Sequence, residues 1–331
     1  MIVEQQAGLY AGFQACIRGA IEGGCRAYFA SPSPLHAQLL NEGARRFPES
    51  HGTFVQAAHP VEALSMALGT AQAGLLPLVS AHYPDFLAMQ EVLQQACQQE
   101  LPMVLALLLY QAPPFAGASP LAYPYPCFMA PWPASGLPLL NLMPASLSQL
   151  YQLTQEACSL ALHLRQPVVL LLDPHLLNTM GTLHPSLAVP LEPLLQALPR
   201  PELRWPDCAL ARQQQLHTLA SRWLQHWPCE GERRFSLLAT GALGGWVLDL
   251  DWPEASVLVP ESLCPLGLDD LWQQDPPAEP VYVLECAPSQ LSWRLQQRFP
   301  HVDIRALSLD WYRAIPLDLQ VRILEAMHAL V

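Results

Sequence analysis

The amino-acid sequence predicts an α/β protein of two domains, each built on a mostly parallel sheet flanked by helices. Short, nearly unbroken apolar runs at 75–80 and 103–109 are typical of parallel strands that are covered on both faces. Between these runs the segment 86–99 has helical periodicity, so strands and helices alternate as they do in βαβ units. The length of 331 residues is sufficient for two separate hydrophobic cores.

Composition and charge narrow the possible function classes. The net charge is −12, and the sixteen basic residues are all arginine. The negative charge repels phosphate backbones, so we expect no nucleic-acid partner. The lack of lysine excludes a Schiff-base lysine and a Walker-type phosphate lysine. Because the apolar runs are too short to cross a bilayer and the first residues do not resemble a signal peptide, we expect a cytoplasmic protein with no membrane partner.

The nine cysteines are scattered along the chain and never form a C-x-x-C motif. Several lie inside apolar stretches, which is typical of reduced and buried thiols. We therefore expect no disulfide framework, zinc ribbon or iron–sulfur site on this chain.

The first third of the chain contains helix and strand signals in alternation. A helix with small residues on one face is predicted from Gly12, and Gly23-Gly24 ends it. The strand 26–30 follows, and a second helix should stop before Pro48. His59-Pro60 opens the next helix, because proline is well tolerated in a first helical turn.

The middle of the chain is less regular. The segment 111–144 is rich in proline, glycine and aromatic residues and has no periodicity, which is typical of a functional loop or a surface docked on a partner. A helix at 145–165 and a strand at 167–173 are predicted next, and a further helix at 209–226.

The C-terminal third has the pattern of a second, smaller α/β domain. Strands are predicted at 235–240, 257–260, 281–285 and 301–306, with helices near 242–249, 289–299 and 317–330. The predicted domains are 1–190, a linker at 191–232, and 233–331.

Segments spread over nearly the whole chain resemble those of one enzyme family, the α subunits of the 2-oxoacid:ferredoxin oxidoreductases. GFQACIRGAIEGGCRAYFASPSP (12–34) is similar to the family's opening segment. LPLVSAHYPDFLAMQE (76–91) resembles the region in which T-S-G-P-G-F-S-L-M-Q-E leads into a helix. NLMPASLSQLYQLTQEACSLALHLRQPVVLLLD (141–173) and YVLECAPSQL (282–291) resemble two further segments of the family.

The resemblance implies a fold, a cofactor and a partner. The fold would be a thiamin-diphosphate pyrimidine-binding domain followed by a transketolase C-terminal-like domain. The family's G-D-G…N segment for magnesium and the diphosphate is absent here. A β-type subunit would therefore share the thiamin diphosphate with this chain, in a heterodimer or an α2β2 complex. That subunit would also carry the magnesium and an iron–sulfur cluster, with ferredoxin as a further partner.

The resemblance also assigns roles at the start of the helix that follows His59. The family has a glutamate there, which shares a proton with the pyrimidine ring of the cofactor. Its position is Pro60 in this sequence, so Pro60 is a candidate cofactor contact that cannot exchange a proton. His59 is the candidate catalytic replacement, and its alternative interpretation is a helix cap or a loop residue. Glu62 lies roughly 200° around the helix and should face elsewhere.

Two further positions of the family's site are altered. The threonine that contacts the 2-oxo acid falls at Pro34, which makes the neighbouring Ser33 hydroxyl a candidate cofactor contact. The arginine that binds the substrate carboxylate aligns near Tyr110, which is the candidate substrate contact and carries no charge.

The family's S-G-P-G motif has become His82-Tyr83-Pro84-Asp85. In the functional interpretation, His82 and Asp85 are catalytic and Tyr83 contacts the cofactor, because α/β sites lie at the carboxyl ends of strands. In the other interpretation, Asp85 caps the next helix, and His82 and Tyr83 fill the space that the glycines leave.

The expected function is that of an α-type subunit of a heteromeric thiamin-diphosphate-dependent enzyme. Such an enzyme would decarboxylate a 2-oxo acid, with oxidation or acyl transfer. The alternative is a catalytically inactive subunit that supports a β-type partner. A self-contained hydrolase is a third hypothesis, but no G-x-S-x-G motif, paired-carboxylate spacing or metal-ligand spacing favours it.

Overall fold

Helices and strands alternate along the chain, and the fold class predicted from the sequence is confirmed. The computed structural model describes residues 8–33, 37–109, 139–183, 216, 219–229, 234–274, 276–285, 290–308 and 319–328. The strands are β1 (Gly8–Ala11), β2 (Ala27–Ala30), β3 (Thr53–Gln56), β4 (Pro77–His82), β5 (Met103–Leu108), β6 (Asn141–Leu142), β7 (Pro167–Leu172), β8 (Met180–Leu183), β9 (Leu224–Trp227), β10 (Phe235–Leu238), β11 (Ala255–Pro260), β12 (Ser262–Cys264), β13 (Val281–Glu285) and β14 (Ile304–Ser308). The helices are α1 (Gly12–Glu22), α2 (Ala37–Glu49), α3 (Pro60–Gln72), α4 (Tyr83–Gln98), α5 (Leu147–Leu164), α6 (Pro174–Asn178), α7 (Gly241–Leu248), α8 (Leu268–Gln274), α9 (Gln290–Arg298) and α10 (Leu319–His328).

The larger sheet has seven strands in the order β12-β6-β7-β5-β4-β2-β3. All of its pairings are parallel except that of β12 with β6. Alternate strand residues enter two cores, one beneath α1, α2 and α5 and the other beneath α3 and α4. Helices therefore cover both faces of this sheet, which explains why its strands are nearly continuous apolar runs.

Tyr28 anchors the core on the α1 and α2 side. Its ring is fully buried between Phe47 and Phe54, and its hydroxyl bonds Ser80 Oγ at 2.7 Å. A Cβ atom on Gly43 would lie 2.2 Å from the Tyr28 ring, so glycine is required where α2 crosses this aromatic ring.

We expect Tyr28→Phe to lower the free energy of unfolding by about 1–2 kcal/mol, because it removes the partner of a fully buried hydroxyl. The double variant Tyr28→Phe/Ser80→Ala should recover much of that loss, since both polar groups are then absent. Urea denaturation of the parent, both single variants and the double variant measures this coupling. Strictly additive losses would show that the hydrogen bond contributes nothing.

The second sheet has five strands in the order β14-β13-β10-β11-β9, parallel except for β9. Its two faces are covered by α7 and α10 on one side and by α8 and α9 on the other. The seven-stranded sheet with its helices forms the first lobe, and the five-stranded sheet with its helices forms the second. A separate two-stranded antiparallel ribbon pairs β1 with β8 beside the first lobe.

Several local predictions were wrong. Residues 224–227 form strand β9 rather than the end of a helix at 209–226, because they pair antiparallel with β11. Helix α2 continues past Pro48 to Glu49. Helix α4 begins at Tyr83, directly after β4, rather than at residue 86.

The predicted domain division at 190 and 232 stays a prediction, and two strands cross it. β9 lies within the predicted linker but joins the second sheet. β12 lies within the predicted second domain but pairs with β6 of the first sheet. A single strand of the second domain, β12, thus joins the sheet of the first.

Four of the five thiols that the structure describes are buried, as their apolar surroundings in the sequence predict, whereas Cys229 is half-buried. Cys16, Cys25 and Cys158 are fully buried and form no disulfide, with the Sγ atoms of Cys25 and Cys158 3.6 Å apart. Burial raises the pKa of the Cys16 thiol to about 12, so this group stays protonated. Across the described ranges, no helix is long and apolar enough to cross a membrane.

Candidate functional site

The candidate residues lie along the carboxyl edge of the first sheet. In that sheet β2 lies between β3 and β4, and all three strands run in parallel. Their carboxyl ends therefore bring three chain segments side by side: Ser31 to Ser33, Ala57 to His59, and His82 to Asp85. This edge is where open α/β sheets bind their ligands.

His82 is a buried polar side chain of this edge with a candidate residue beside each ring nitrogen. It is the last residue of β4 and only 8% exposed. Its Nε2 atom lies 3.4 Å from Ser33 Oγ, and its Nδ1 atom lies 3.8 Å from Asp85 Oδ2. The structure therefore places three of the sequence-predicted site residues in one contiguous group.

The surroundings of His82 set its protonation. Burial lowers the pKa of the imidazole below its ordinary value, and the nearby Asp85 carboxylate opposes that shift more weakly. The ring is therefore neutral at pH 7, in the form that can accept a proton.

Asp85 does not cap helix α4, so the capping interpretation was wrong. The cap position is held by His82, and Asp85 is the third residue of the helix, with its carboxylate near the imidazole. The side chain of Asp85 is 37% exposed. Tyr83 is the first residue of α4, and its side chain lies outside what the structure describes.

His59 and Pro60 lie at the start of α3, as predicted. His59 is the cap residue, with an extended backbone and no side-chain capping bond, and Pro60 is the first helical residue. His59 is exposed, whereas Pro60 is half-buried. Glu62 is also exposed.

Tyr110, the predicted substrate contact, lies outside the residues that the structure describes. Two histidines have partners elsewhere: His226 Nε2 lies 3.0 Å from Ser256 Oγ, and His175 packs edge-on against Trp246. In the part of the chain that the structure describes, no group of three or more histidine, cysteine, aspartate or glutamate side chains is placed to hold a metal ion.

The chain segments that follow β3, β4, β5 and β6 contribute no arginine or lysine to this edge. Between Arg46 and Arg165 the sequence contains no arginine or lysine. This span includes every segment that follows β3, β4, β5 and β6. Asp85 and Asp173 both lie at strand ends, and Asp173 Oδ1 caps α6 by accepting a hydrogen bond from His175 N. The edge is therefore neutral to acidic.

A cavity of about 500 Å³ lies away from this edge, between α1 and α2. Its lining includes Arg18 paired with Glu22 at 2.8 Å and Arg46 paired with Glu42 at 3.1 Å. Because these charges neutralise one another and none of the predicted site residues lines it, we do not place the reaction there.

Sequence reasoning missed a buried polar cluster between the lobes. Glu261 Oε1 accepts hydrogen bonds from Gln149 Nε2 at 2.7 Å and from Gln225 Nε2 at 2.8 Å. Burial and the neighbouring Glu156 raise the pKa of Glu261 to about 7. No local motif marks these residues, which come together through the pairing of β9 with β11 and of β12 with β6.

The comparison with protein families decides the family of the chain. Residues 18–190, just over half of the sequence, match the family model described as "Pyruvate flavodoxin/ferredoxin oxidoreductase, thiamine diP-bdg". The chain belongs to this oxidoreductase family. The matched residues include β2 to β7 and therefore the whole candidate edge. The family predicted from sequence segments is confirmed.

The curated relatives of this chain are subunits of multi-subunit enzymes. The chain is 28% identical over 183 residues to the 2-oxoglutarate synthase subunit KorA of Archaeoglobus fulgidus, which covers 55% of this chain and 51% of the relative. It is 29% identical over 197 residues to the ketoisovalerate oxidoreductase subunit VorB of Methanothermobacter thermautotrophicus. That match covers 60% of this chain and 54% of the relative. The chain thus spans about half the length of these relatives.

Two solved structures share the fold. A 2-oxoglutarate:ferredoxin oxidoreductase from Magnetococcus marinus superposes with a TM-score of 0.76 and 17% identity over 97% of this chain and 65% of that chain. A split-gene transketolase, described as an inactive β4 tetramer, superposes with a TM-score of 0.58 and 15% identity. The superposition covers 96% of this chain and 97% of the transketolase chain. At these identities the likeness establishes the fold alone.

Proposed function

We propose that this chain is the α-type subunit of a heteromeric thiamin-diphosphate-dependent enzyme that acts on a 2-oxo acid, by decarboxylation with oxidation or acyl transfer. The observation that carries the proposal is the placement of Ser33, His82 and Asp85 together at the carboxyl edge of the sheet within the matched region. Thiamin diphosphate, when bound, supplies a carbanion at its thiazolium carbon.

The described edge fits one end of that cofactor. The aminopyrimidine ring is uncharged and needs hydrogen-bonding neighbours, which Ser33 and His82 can provide beside the half-buried Pro60. The diphosphate needs cations or backbone N–H groups, and the sequence supplies no cation between Arg46 and Arg165. The chain's own residues thus suit the pyrimidine end.

The second half of the site belongs to a partner in this proposal. A β-type subunit holds the magnesium and the diphosphate, and an iron–sulfur cluster on that subunit passes electrons to ferredoxin. The complex is a heterodimer or an α2β2 assembly. Support comes from the relatives, whose names identify them as subunits.

Co-expression with a β-type partner tests the proposed function. We expect the purified complex to retain thiamin diphosphate and to reduce a viologen dye with a 2-oxo acid, and we expect neither chain to do so alone. His82→Gln in the complex should lower turnover by about 10²-fold, the usual contribution of a positioned acid–base group. A partner chain that is equally active alone would refute the proposal.

The alternative is a catalytically inactive subunit that positions its partner. The observation that favours it is the start of α3, where proline occupies the acid–base position and His59 is exposed. In that case the combined variant His59→Ala/His82→Ala/Asp85→Ala would leave the turnover of the complex unchanged. A large loss of turnover with normal complex formation would exclude this alternative.

A further inference from the structure

The cavity of about 500 Å³ between α1 and α2 has the size of a small-molecule site and contains none of the candidate site residues. Each of its two helical walls presents charged or polar side chains from successive turns. These side chains are Gln14, Arg18 and Glu22 on α1, and Glu42, Arg46 and Glu49 on α2.

The protein itself holds the charged groups of the α1 wall in place. The guanidinium of Arg18 lies 5.2 Å from the centre of the Tyr10 ring and 5.9 Å from that of the Tyr151 ring. Its Nε atom donates to Glu22 Oε1 at 2.8 Å, and Glu22 Oε2 accepts a hydrogen bond from the Tyr151 hydroxyl. Groups that are fixed in advance lose little conformational freedom when a ligand binds.

The charged groups of the α2 wall are also fixed by one another. Glu42 is 8% exposed and accepts hydrogen bonds from Arg45 Nη2 at 2.7 Å and from Arg46 Nε at 3.1 Å. Arg46 Nη1 donates to Glu49 Oε2 at 3.2 Å. With Arg18 and Glu22, the cluster has three arginines and three glutamates, so its net charge is zero and both signs face the cavity.

The α1 wall has hydrogen-bond donors to spare. Arg18 uses Nε for Glu22 and Nη1 for the Tyr10 hydroxyl, and its Nη2 makes no hydrogen bond to a described residue. Gln14 Oε1 accepts from Ala11 N, whereas Gln14 Nε2 makes no hydrogen bond within the described ranges. Residues four apart on a helix lie on the same face, so these two donors are neighbours on the cavity wall.

The α2 wall has acceptor capacity to spare at Glu49. Its carboxylate accepts one hydrogen bond, from Arg46, and its other oxygen lies 3.7 Å from Arg45 Nη1. A carboxylate can accept about four hydrogen bonds. The side chain of Glu49 is 52% exposed, so a ligand can reach it.

We propose that this cavity binds a zwitterionic α-amino acid with an apolar side chain. The ligand carboxylate accepts hydrogen bonds from Arg18 Nη2 and Gln14 Nε2, and the ligand ammonium group donates to Glu49. The apolar side chain packs against Ile21 and the Tyr10 ring, which also line the cavity. The inference does not depend on the proposed function, because the cavity lies away from the candidate edge.

The two signs of charge explain why a zwitterion is favoured. A ligand with only a carboxylate gains the α1 donors but meets the uncompensated charge of Glu49, and a ligand with only an ammonium group leaves the α1 donors unused. A zwitterion satisfies both walls and adds no net charge to a cluster that has none.

Three ligands with closely related carbon skeletons test the proposal by calorimetric titration of the full-length chain. Leucine carries both charged groups, 4-methylpentanoate lacks the ammonium group, and 3-methylbutylamine lacks the carboxylate. We expect leucine to bind at millimolar concentrations or below, and each of the other two ligands to bind at least about tenfold more weakly, because each loses one charge-assisted contact.

Two variants assign the two ends of the ligand. Glu49→Gln should weaken leucine binding by at least about tenfold and should not weaken that of 4-methylpentanoate. Glu254→Gln is the matched control, because Glu254 is also 52% exposed and paired with an arginine, but lies in the second lobe. Arg18→Gln should weaken leucine and 4-methylpentanoate and spare 3-methylbutylamine. Urea denaturation shows whether each variant is folded, and Glu49→Gln remains decisive if Arg18→Gln is not.

Three outcomes would overturn the amino-acid site. They are no measurable binding of leucine at millimolar concentrations, binding of either singly charged ligand as tight as that of leucine, and leucine binding that is unchanged in Glu49→Gln. The titrations need neither cofactor nor partner, so their result is separate from that of the co-expression experiment.

Discussion

Replacing Gly245 by alanine should destabilise the protein by about 3 kcal/mol or more, because the new methyl group has no space in a backbone-to-backbone contact. Gly245 lies on α7 of the second lobe, and a Cβ atom there would come within 2.1 Å of the carbonyl oxygen of Ala145 in the first lobe. The clash involves main-chain atoms on both sides, so no side-chain rotation relieves it. Helix α7 must move away from the first lobe.

The loss should extend beyond the substituted residue. Ala145 directly precedes the cap of α5, and its N–H donates to Gln149 Oε1 at 2.7 Å. Neighbouring Trp246 packs against cores of both lobes. Displacing α7 therefore disturbs the α5 cap and the shared tryptophan together.

Gly69→Ala is the matched control for this variant. Gly69 lies inside α3, and a Cβ atom there meets nothing within 4 Å. We expect this change to raise stability by about 0.5–1 kcal/mol, the ordinary gain of alanine over glycine within a helix. Thermal unfolding of both variants compares the two effects. Equal midpoints for both would show that the close approach of α7 has no energetic importance.

Much of the fold follows from the sequence because its strongest signals are local. The predicted runs at 75–80 and 103–109 overlap β4 (Pro77–His82) and β5 (Met103–Leu108). Every residue of these two strands is buried, so the apolar character has almost no interruption. Helix α5 matched its prediction closely, since its apolar residues recur in helical phase and Ser146 provides a capping hydroxyl.

The remainder depends on tertiary pairing that no local pattern records. The segment 224–227 has leucine and tryptophan residues that fit a helix face, and only the edge of the second sheet makes it a strand. β12 was missed for the same reason, because its partner β6 belongs to the other lobe.

The candidate site shows the same division between local and tertiary information. The sequence placed His82 and Asp85 together, as they are three residues apart. The contact between Ser33 and His82 joins residues 49 positions apart and exists because β2 and β4 are neighbours in the sheet. The strand order was needed to find it.

Glu261→Gln should make the stability of the protein less dependent on pH. The side chain of Glu261 is nearly buried between the lobes, where burial and the adjacent Glu156 raise its pKa to about 7. In the unfolded chain the same carboxyl ionises near its ordinary value. Since the folded state binds the proton more tightly, the stabilising effect of the protonated form is complete below the unfolded pKa and is lost as the pH rises through 7.

The magnitude follows from the difference between the two pKa values. At pH 8 the ionised carboxylate costs about 3 kcal/mol, because the pKa rises from 4.5 to about 7 and one pKa unit corresponds to about 1.4 kcal/mol. Glutamine has the shape of the protonated acid, and its Oε1 can still accept hydrogen bonds from Gln149 and Gln225. Arg222 offsets part of the cost in the parent, because it lowers the pKa of Glu261 while holding Glu156 at 3.0 Å.

Chemical denaturation at pH 5 and pH 8 measures this effect. We expect the glutamine variant to match the parent to within about 1 kcal/mol at pH 5 and to exceed its free energy of unfolding by about 3 kcal/mol at pH 8. Glu254→Gln is the control, because Glu254 is an exposed residue paired with Arg234 at 3.4 Å and should change stability by less than about 1 kcal/mol at either pH. The opposite outcome is that Glu261→Gln destabilises the protein equally at both pH values. That result would contradict the prediction, because it would mean that the Glu261 carboxylate is ionised and stabilising in the folded state. The hydrogen bonds from Gln149 and Gln225 would then be made to a charged group rather than to a neutral one.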